Sequence, residues 1–116
     1  MNIDIVEGTS KFYEFRLIID NKVIGRGFLF LITNKLHKEP YALIPESLME
    51  DIFVLKEEQR KGYGTAIVKE IIRKAKEVGC YKIVATTRYE KEKVVDMYKE
   101  LGFIKHGTEL RINLST

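Results

Sequence analysis

The spacing of apolar residues changes from a strand-like to a helical pattern between residues 46 and 79. Residues 50–55 carry β-branched and aromatic side chains with no breaking residue, which predicts a strand that begins at residue 46. From Thr65 onward the apolar side chains fall on one helical stripe with charged residues opposite, and Gly79 is a stop signal. The members of this stripe are Ile67, Ile71, Ile72, Ala75 and Val78. The stretch therefore predicts a strand that continues through a loop into the N-terminus of a helix.

The segment before this strand predicts a β-hairpin. Residues 12–19 and 23–32 both have strand-like patterns, and residues 21–22 between them predict the turn. Gly25 and Gly27 lie inside the second strand. Glycine in a strand interior predicts a bulge or a close approach of other groups to the backbone.

The pattern after the first helix predicts a strand, a second helix and a tail. Tyr81–Thr86 is an apolar run typical of a buried parallel strand, and it completes a right-handed crossover unit. A second amphipathic helix follows and is closed by Gly102. Its apolar positions are Val94, Val95, Tyr98 and Leu101. The tail, at residues 103–106 and 110–114, predicts one or two strands around Gly107. Residues 33–44 predict a polar loop with a short extended piece.

Length and composition predict a single domain. The chain has 116 residues, of which 45% are hydrophobic, so one domain over residues 1–116 with a modest core is expected. It has no run of eighteen apolar residues, and its N-terminus lacks the basic and apolar regions of a signal peptide. These features favour a cytoplasmic protein without a membrane segment. The single cysteine, Cys80, excludes an internal disulfide and is interpreted as a buried structural thiol.

The charge of the chain gives little support to a nucleic-acid partner. The net charge is +3, and lysines alternate with glutamates along the predicted helices, which is typical of solvated faces. No nucleic-acid recognition motif accompanies this charge, although a basic rim also suits an anionic cofactor. His37 and His106 are far apart and show no metal-ligand spacing, so no metal site is predicted.

Two glycines and two basic residues lie where the predicted loop meets the helix. The first N–H groups of a helix have no internal partner, and the positive end of its dipole lies there. Gly62 and Gly64 let a ligand approach the backbone, and Arg60 and Lys61 add charge, which together suit a phosphate or diphosphate. The alternative is a simple strand–turn–helix link in which glycine only permits an unusual φ. The loop lacks both the Walker sequence and the third glycine of the dinucleotide fingerprint.

Two short motifs resemble signatures of the GNAT superfamily of N-acetyltransferases. Residues 59–64, Gln-Arg-Lys-Gly-Tyr-Gly, are similar to its Gln/Arg-x-x-Gly-x-Gly/Ala signature, and residues 98–103, Tyr-Lys-Glu-Leu-Gly-Phe, to its Tyr-x-x-x-Gly-Phe signature. Their order and separation also match. The resemblance covers about the C-terminal two thirds of the chain. It implies an α/β fold with a mixed, largely antiparallel sheet, a central parallel strand pair that splays apart, and helices packed on the sheet.

The resemblance also implies an activity and a cofactor. The family moves an acetyl group from acetyl-CoA to a primary amine, here a small amine, a polyamine, or a protein lysine or N-terminus, by direct attack. Backbone N–H groups of the loop would contact the diphosphate, the strand end would contact the pantetheine, and an amide near Phe53 or Val54 would stabilise the oxyanion. Lys61 would either meet a phosphate oxygen or remain solvated. The predicted cofactor-binding residues are Phe53, Val54, Leu55, Gln59, Arg60, Lys61, Gly62, Tyr63, Gly64 and Thr65.

Two catalytic residues are expected. A carboxylate must take a proton from the amine, and both Glu50 and Asp51 lie where the family often has this base. Adjacent strand residues point to opposite faces, and Glu50 is favoured because it would share a face with Ile52 and Val54. Tyr98 is expected to protonate the departing thiolate. The alternatives are a surface or capping carboxylate and a core tyrosine bonded to the backbone.

Some positions depart from the family pattern. Family members carry a strand and two helices before the matched region, whereas this chain has a short N-terminal segment without a helical pattern. The acceptor site would then be open, completed by a partner subunit in a homodimer, or lost. Lys91 stands where the family often has asparagine, and Arg60 where it often has glycine. A GNAT-like module that binds CoA for regulation, with weak or no catalysis, is therefore the second hypothesis.

Overall fold

The structure is a computed structural model that describes residues 1–32, 45–87 and 91–115. The chain forms two compact units, Met1–Ala85 and Thr86–Thr116. The first unit contains four strands and a helix: β1 (Phe12–Ile19), β2 (Lys22–Ile32), β3 (Glu46–Val54), α1 (Tyr63–Val78) and β4 (Ile83–Ala85). The second unit contains helix α2 (Glu92–Glu100). The predicted loop and extended piece at residues 33–44 lie outside the described residues.

β1 and β2 form the predicted antiparallel hairpin, with a turn one residue earlier than expected. Asp20 and Asn21 both have positive φ, 49° and 63°, and Ile19 already pairs with Lys22. Two adjacent residues with positive φ form the tight turn that matches the twist of a hairpin. Asp and Asn tolerate this conformation better than most residues, which explains why the turn is centred on them.

One face of the sheet packs against α1 and forms the core of the first unit. The buried apolar side chains are Ile24, Leu29, Leu31, Met49, Ile67, Val68, Ile71 and Ala75. The two glycines of β2 allow this close packing, because a Cβ on Gly27 would lie 2.6 Å from Ile52 Cδ1 and one on Gly25 would lie 2.9 Å from Ile67 Cδ1. The predicted close approach at these glycines is confirmed.

β3 and β4 form the predicted parallel pair, and the sheet order is β1-β2-β3-β4. The pairing runs only from Ser47 opposite Ile83 to Met49 opposite Ala85. The pair is tied at its start, where the Ser47 N–H and Oγ both donate to the Lys82 carbonyl, at 3.0 and 2.9 Å. β3 continues for five residues beyond Met49, whereas β4 ends at Ala85. The mixed sheet is confirmed, and β4 is shorter than the predicted Tyr81–Thr86.

The second unit contains the predicted helix but not the predicted tail strands. Gly102, with φ 106°, follows the end of α2, and the Phe103 N–H donates to the Tyr98 carbonyl at 3.0 Å. Residues 103–115 form neither helix nor strand, so the prediction of strands there was wrong. The alternating apolar side chains of this tail, among them Leu110 and Ile112, are 79–90% exposed. Alternation gives only a local preference, and a strand also needs a partner and a buried face.

Two further features concern the membrane and the cysteine. Within residues 1–32, 45–87 and 91–115, no helix is both long and apolar enough to cross a bilayer. Cys80 is a free thiol, and it is partly exposed rather than buried as predicted.

Candidate active site at the end of strand β3

A short loop connects β3 to α1 and sets the direction of the helix N-terminus. A single 3₁₀ turn at Lys56–Glu58 follows the strand, and Arg60 and Gly62 then adopt positive φ values of 66° and 84°. Gly62 is the N-cap of α1, and no side chain caps the helix there. The helix begins at Tyr63, two residues before the predicted start.

The amide groups of the first helical turn are open. The first hydrogen bond of α1 runs from the Ala66 N–H to the Gly62 carbonyl, at 3.1 Å. Among the described residues, the N–H groups of positions 62–65 have no protein acceptor. A Cβ placed on Gly62 or Gly64 would meet no atom within 4 Å. The start of α1 is thus an exposed cradle of N–H donors, which fits the oxygen atoms of a diphosphate.

One charged side chain of the loop is paired and another, within the described part of the chain, is not. Lys61 Nζ donates to Glu58 Oε2 at 2.9 Å, and the Lys61 side chain remains 53% exposed. This hydrogen bond raises the pKa of Lys61 above its usual value. Arg60 has no ion-pair partner among the described residues. Sequence reasoning missed the role of Glu58, although i, i+3 spacing from Lys61 is a known signal of such a pair.

The backbone of Val54 faces away from β2. The Leu55 N–H donates to the Ile24 carbonyl at 2.9 Å, which makes Gly25 and Val54 a non-hydrogen-bonded pair. The N–H and C=O of Val54 therefore point to the side where β4 has already ended. The Val54 carbonyl accepts a hydrogen bond from Gln59 Nε2 at 3.0 Å, which ties the loop to the strand end. Of the two predicted oxyanion amides, this geometry favours Val54 over Phe53.

A β-bulge in β3 changes which face each residue occupies. Asp51 and Ile52 together lie opposite Gly27, and Asp51 has a φ of 56°. The extra residue inverts the alternation of faces, so Glu50 lies opposite Phe28 on the sheet face away from α1. Ile52 and Val54 instead contact the glycine side of β2 that faces α1. The prediction that Glu50 shares a face with Ile52 and Val54 was therefore wrong.

Asp51 does not lie on the face opposite Glu50 either. Its Oδ2 is 3.0 Å from Arg26 Nη2, and Arg26 lies two residues before Phe28 on the same face of β2. The two carboxylates that the sequence separated are therefore on one face of the sheet. Sequence reasoning missed Arg26, and the two glycines that flank it were the available signal of irregular pairing.

The remaining predicted residues occupy two environments. The Phe53 ring is half exposed, lies 5.9 Å from the guanidinium of Arg26, and lines with it an open cleft of ≈240 Å³. Tyr63, Gly64 and Thr65 are partly buried in the first turn of α1. Tyr98 belongs to the second unit, where its partly buried ring packs on Phe103 with centroids 5.4 Å apart. Over the described part of the chain, no cluster of His, Cys, Asp or Glu could hold a metal ion.

Comparison with known proteins identifies the family. The family model of the Acetyltransferase (GNAT) family matches residues 6–103, which is most of the chain. The chain belongs to the GNAT acetyltransferase family. Acyl transfer is the chemistry of this family. The match also confirms the resemblance that was based on the two motifs. No curated protein matches the chain.

Several solved structures have the same fold as this chain. A protein of Agrobacterium tumefaciens described as an acetyltransferase superposes with a TM-score of 0.77 at 24% identity, over 88% of this chain and 68% of that one. An aminoglycoside acetyltransferase from a soil metagenome gives 0.72 at 21%, over 90% and 66%. A transcriptional regulator of Bacillus halodurans gives 0.77 at 19%, over 89% and 66%. The chain therefore spans about two thirds of these relatives, and the likeness shows the fold alone.

Proposed function

We propose that this GNAT protein is an N-acetyltransferase that moves the acetyl group of acetyl-CoA to a primary amine by direct attack. One observation carries the proposal: four N–H groups at the start of α1 have no acceptor among the described residues, and open space surrounds the two glycines there. The amine class comprises small amines, polyamines, and protein lysines or N-termini.

Binding of acetyl-CoA is assigned to the loop and the strand end. The N–H groups from Gly62 to Thr65 would hold the diphosphate, with Arg60 as the nearby cation. The outward N–H of Val54 would meet the acyl end, and Gln59 would keep the loop and the strand end together. Phe53 and Leu55 complete the strand-end contacts, and Tyr63 flanks the cradle. When bound, acetyl-CoA supplies the acyl group as an activated thioester.

Two groups of the protein are proposed to act at the acyl end of the cofactor: one takes the proton of the amine, and the other stabilises the negative oxygen. An alkylammonium group has a pKa of about 10.4 and is mostly protonated at neutral pH. Glu50 is proposed to take that proton, directly or through water, because the neighbouring carboxylate, Asp51, is paired with Arg26. The Val54 N–H is proposed to donate to the oxygen that becomes negative, because its direction is fixed before any ligand binds.

Tyr98 is proposed as the acid that protonates the departing thiolate. Its phenol is the type of group that can donate a proton to a thiolate and is carried by the second family motif. Replacement of Tyr98 by Phe should lower kcat by about 10²-fold or more, in the range for loss of a general acid. The Kd for CoA should stay within about twofold, and Tyr13→Phe is the matched control for loss of a phenol.

The test is a screen of amines and lysine peptides for release of CoA thiol from acetyl-CoA. Turnover that is lost in Tyr98→Phe and kept in Tyr13→Phe supports the proposal. CoA binding without turnover with any amine would instead favour the regulatory module, a role consistent with the fold shared with the Bacillus halodurans regulator. Turnover that is equal in Tyr98→Phe and in the parent contradicts the role of Tyr98.

A further inference from the structure

Arg26 contacts both sides of the bulge in β3. In the strand register it lies opposite Phe53, which follows the bulge, and its guanidinium is 5.9 Å from the centre of that ring. Its Nη2 reaches back to Asp51, the first bulged residue, at 3.0 Å. One side chain of β2 therefore connects the bulged residue with the strand segment that follows it.

The bulged residue adopts a conformation that side-chain contacts can stabilise. Asp51 has a φ of 56°, in the left-handed region, which Asp tolerates better than most residues but glycine adopts at lower cost. Such conformations persist where surrounding contacts favour them, and they concentrate at functional sites. The salt bridge to Arg26 is the contact that the structure provides for the Asp51 side chain.

The bulge determines where the Val54 N–H points. Hydrogen-bonded and non-hydrogen-bonded pairs alternate along antiparallel strands, so a shift of one residue exchanges them. Without the extra residue, Val54 would move into a hydrogen-bonded pair, and its N–H would turn toward β2. Leu55, which now donates to Ile24, would lose that bond.

We propose that Arg26 and Asp51 are positioning residues that hold the bulge and thereby keep the Val54 N–H directed at the acyl-donor site. The proposal rests on the proposed function, because that function gives the Val54 N–H its role. Neither residue needs to touch the substrate. Their effect is on the register of the last three residues of β3.

The kinetic test combines two variants. Arg26→Met breaks the ion pair with Asp51, and Asp51→Gly makes that ion pair unnecessary. Arg26→Met keeps the aliphatic stem and should lower kcat by up to about fivefold, with the KM for acetyl-CoA changed less than kcat, because an exposed ion pair shifts an equilibrium by a small factor. Asp51→Gly should keep activity near the parent, since glycine adopts positive φ without support. In the Asp51→Gly background, Arg26→Met should have no further effect.

A matched control and a register measurement separate this proposal from the function itself. Arg73 lies on helix α1 and pairs with Glu77 at 2.8 Å, so Arg73→Met makes the same charge change at an exposed ion pair away from the bulge and should leave kcat unchanged. Hydrogen exchange followed by NMR needs no turnover. In Arg26→Met, the Val54 amide should gain protection and the Leu55 amide should lose it, whereas Asp51→Gly should keep the parent pattern.

Two results would overturn the proposal. One is unchanged protection of both amides in Arg26→Met. The other is an equal loss of kcat when Arg26→Met is made in the parent and in the Asp51→Gly background. If no amine supports turnover, the proposed function fails, and the exchange pattern still decides whether Arg26 holds the bulge.

Discussion

At the residue scale, the two glycines of the loop are there for different reasons. Gly62 has a φ of 84°, which a side chain would strain, whereas Gly64 lies inside α1 with helical geometry. Glycine within a helix lowers stability relative to other residues, and the fold gives no packing reason for it, because a Cβ would meet no atom within 4 Å. The open space beside Gly64 is explained if a ligand occupies it.

Because Gly64 has helical geometry, its replacement is predicted to raise the stability of the protein and to abolish binding of CoA. Gly64→Leu should raise the free energy of unfolding by about 0.5 kcal/mol, because leucine favours helix more than glycine does. It should also abolish CoA binding, since its side chain would occupy the cradle. The measurements are urea unfolding and calorimetric titration with CoA.

The control for this prediction lies at the other end of α1. Gly79 has a φ of 93° and also has open space around it. Gly79→Leu should lower stability by about 1–2 kcal/mol, the cost of a left-handed conformation for a side chain, and should leave CoA binding intact. Unaltered CoA affinity in Gly64→Leu would mean that the cradle is not the binding site.

Removal of the ion pair between Glu58 and Lys61 is predicted to raise the affinity for CoA. Glu58 raises the pKa of Lys61, so in Glu58→Gln that pKa falls back toward 10.5 and Lys61 still stays charged at pH 7. The variant removes an anion beside the proposed diphosphate site and releases a cation. CoA should therefore bind about two- to fivefold more tightly at low salt, in the range of a single exposed ion pair.

The matched control is Glu57→Gln, which changes the same charge in the same 3₁₀ turn. Its effect on CoA affinity should be smaller, because Glu57 does not hold Lys61. The gain from Glu58→Gln should also shrink at high salt, where exposed charges are screened. Equal effects of the two variants would indicate general charge rather than release of Lys61.

At the scale of elements, a methyl group at Gly27 would force isoleucine side chains between β2, β3 and α1 to move. Its Cβ would lie 2.6 Å from Ile52 Cδ1 and 3.1 Å from atoms of both Ile67 and Ile71. Gly27→Ala should therefore lower the free energy of unfolding by about 1–3 kcal/mol, as overpacked cores do. The measurement is urea unfolding of the variant and the parent.

A second substitution tests the cause of this loss. Ile52→Val removes the Cδ1 atom nearest to the new methyl group, so the double variant should recover part of the stability lost by Gly27→Ala. The coupling energy of the double-mutant cycle should be favourable. Additive effects would show that Ile52 is not the obstacle. Gly8→Ala, in open space, is the neutral control.

Elements with a strong local signal could be predicted from the sequence, whereas the bulge in β3, which depends on the register with β2, could not. The stripe from Ile67 to Ala75 predicts α1, and glycine residues mark the ends of both helices. The bulge at Asp51 was not predictable in detail, because no local pattern reveals an extra residue opposite Gly27. The face of Glu50 follows from that bulge, so its prediction failed with it.

At the scale of the whole molecule, the proposed acid is assigned to a different part of the chain from the other site residues. Every residue proposed to hold acetyl-CoA, from Phe53 to Thr65, lies in the unit Met1–Ala85, and Tyr98 lies in the unit Thr86–Thr116. The two family motifs therefore lie in different units, residues 59–64 in the first and residues 98–103 in the second. The family and the mixed sheet could be predicted from those motifs, whereas the tail strands could not, because alternation at Leu110 and Ile112 does not show what a strand pairs with.

The central claim is that the open amides at the start of α1 bind the diphosphate of CoA. The most direct measurement is an NMR titration of the ¹⁵N-labelled chain with CoA, with pantetheine, which lacks the diphosphate, as the comparison ligand. We predict that the amide signals of Gly62, Tyr63, Gly64 and Thr65 shift and saturate with CoA but do not shift with pantetheine. The Gly79 signal should stay in place with both ligands. Unchanged signals for these four amides at millimolar CoA would contradict it.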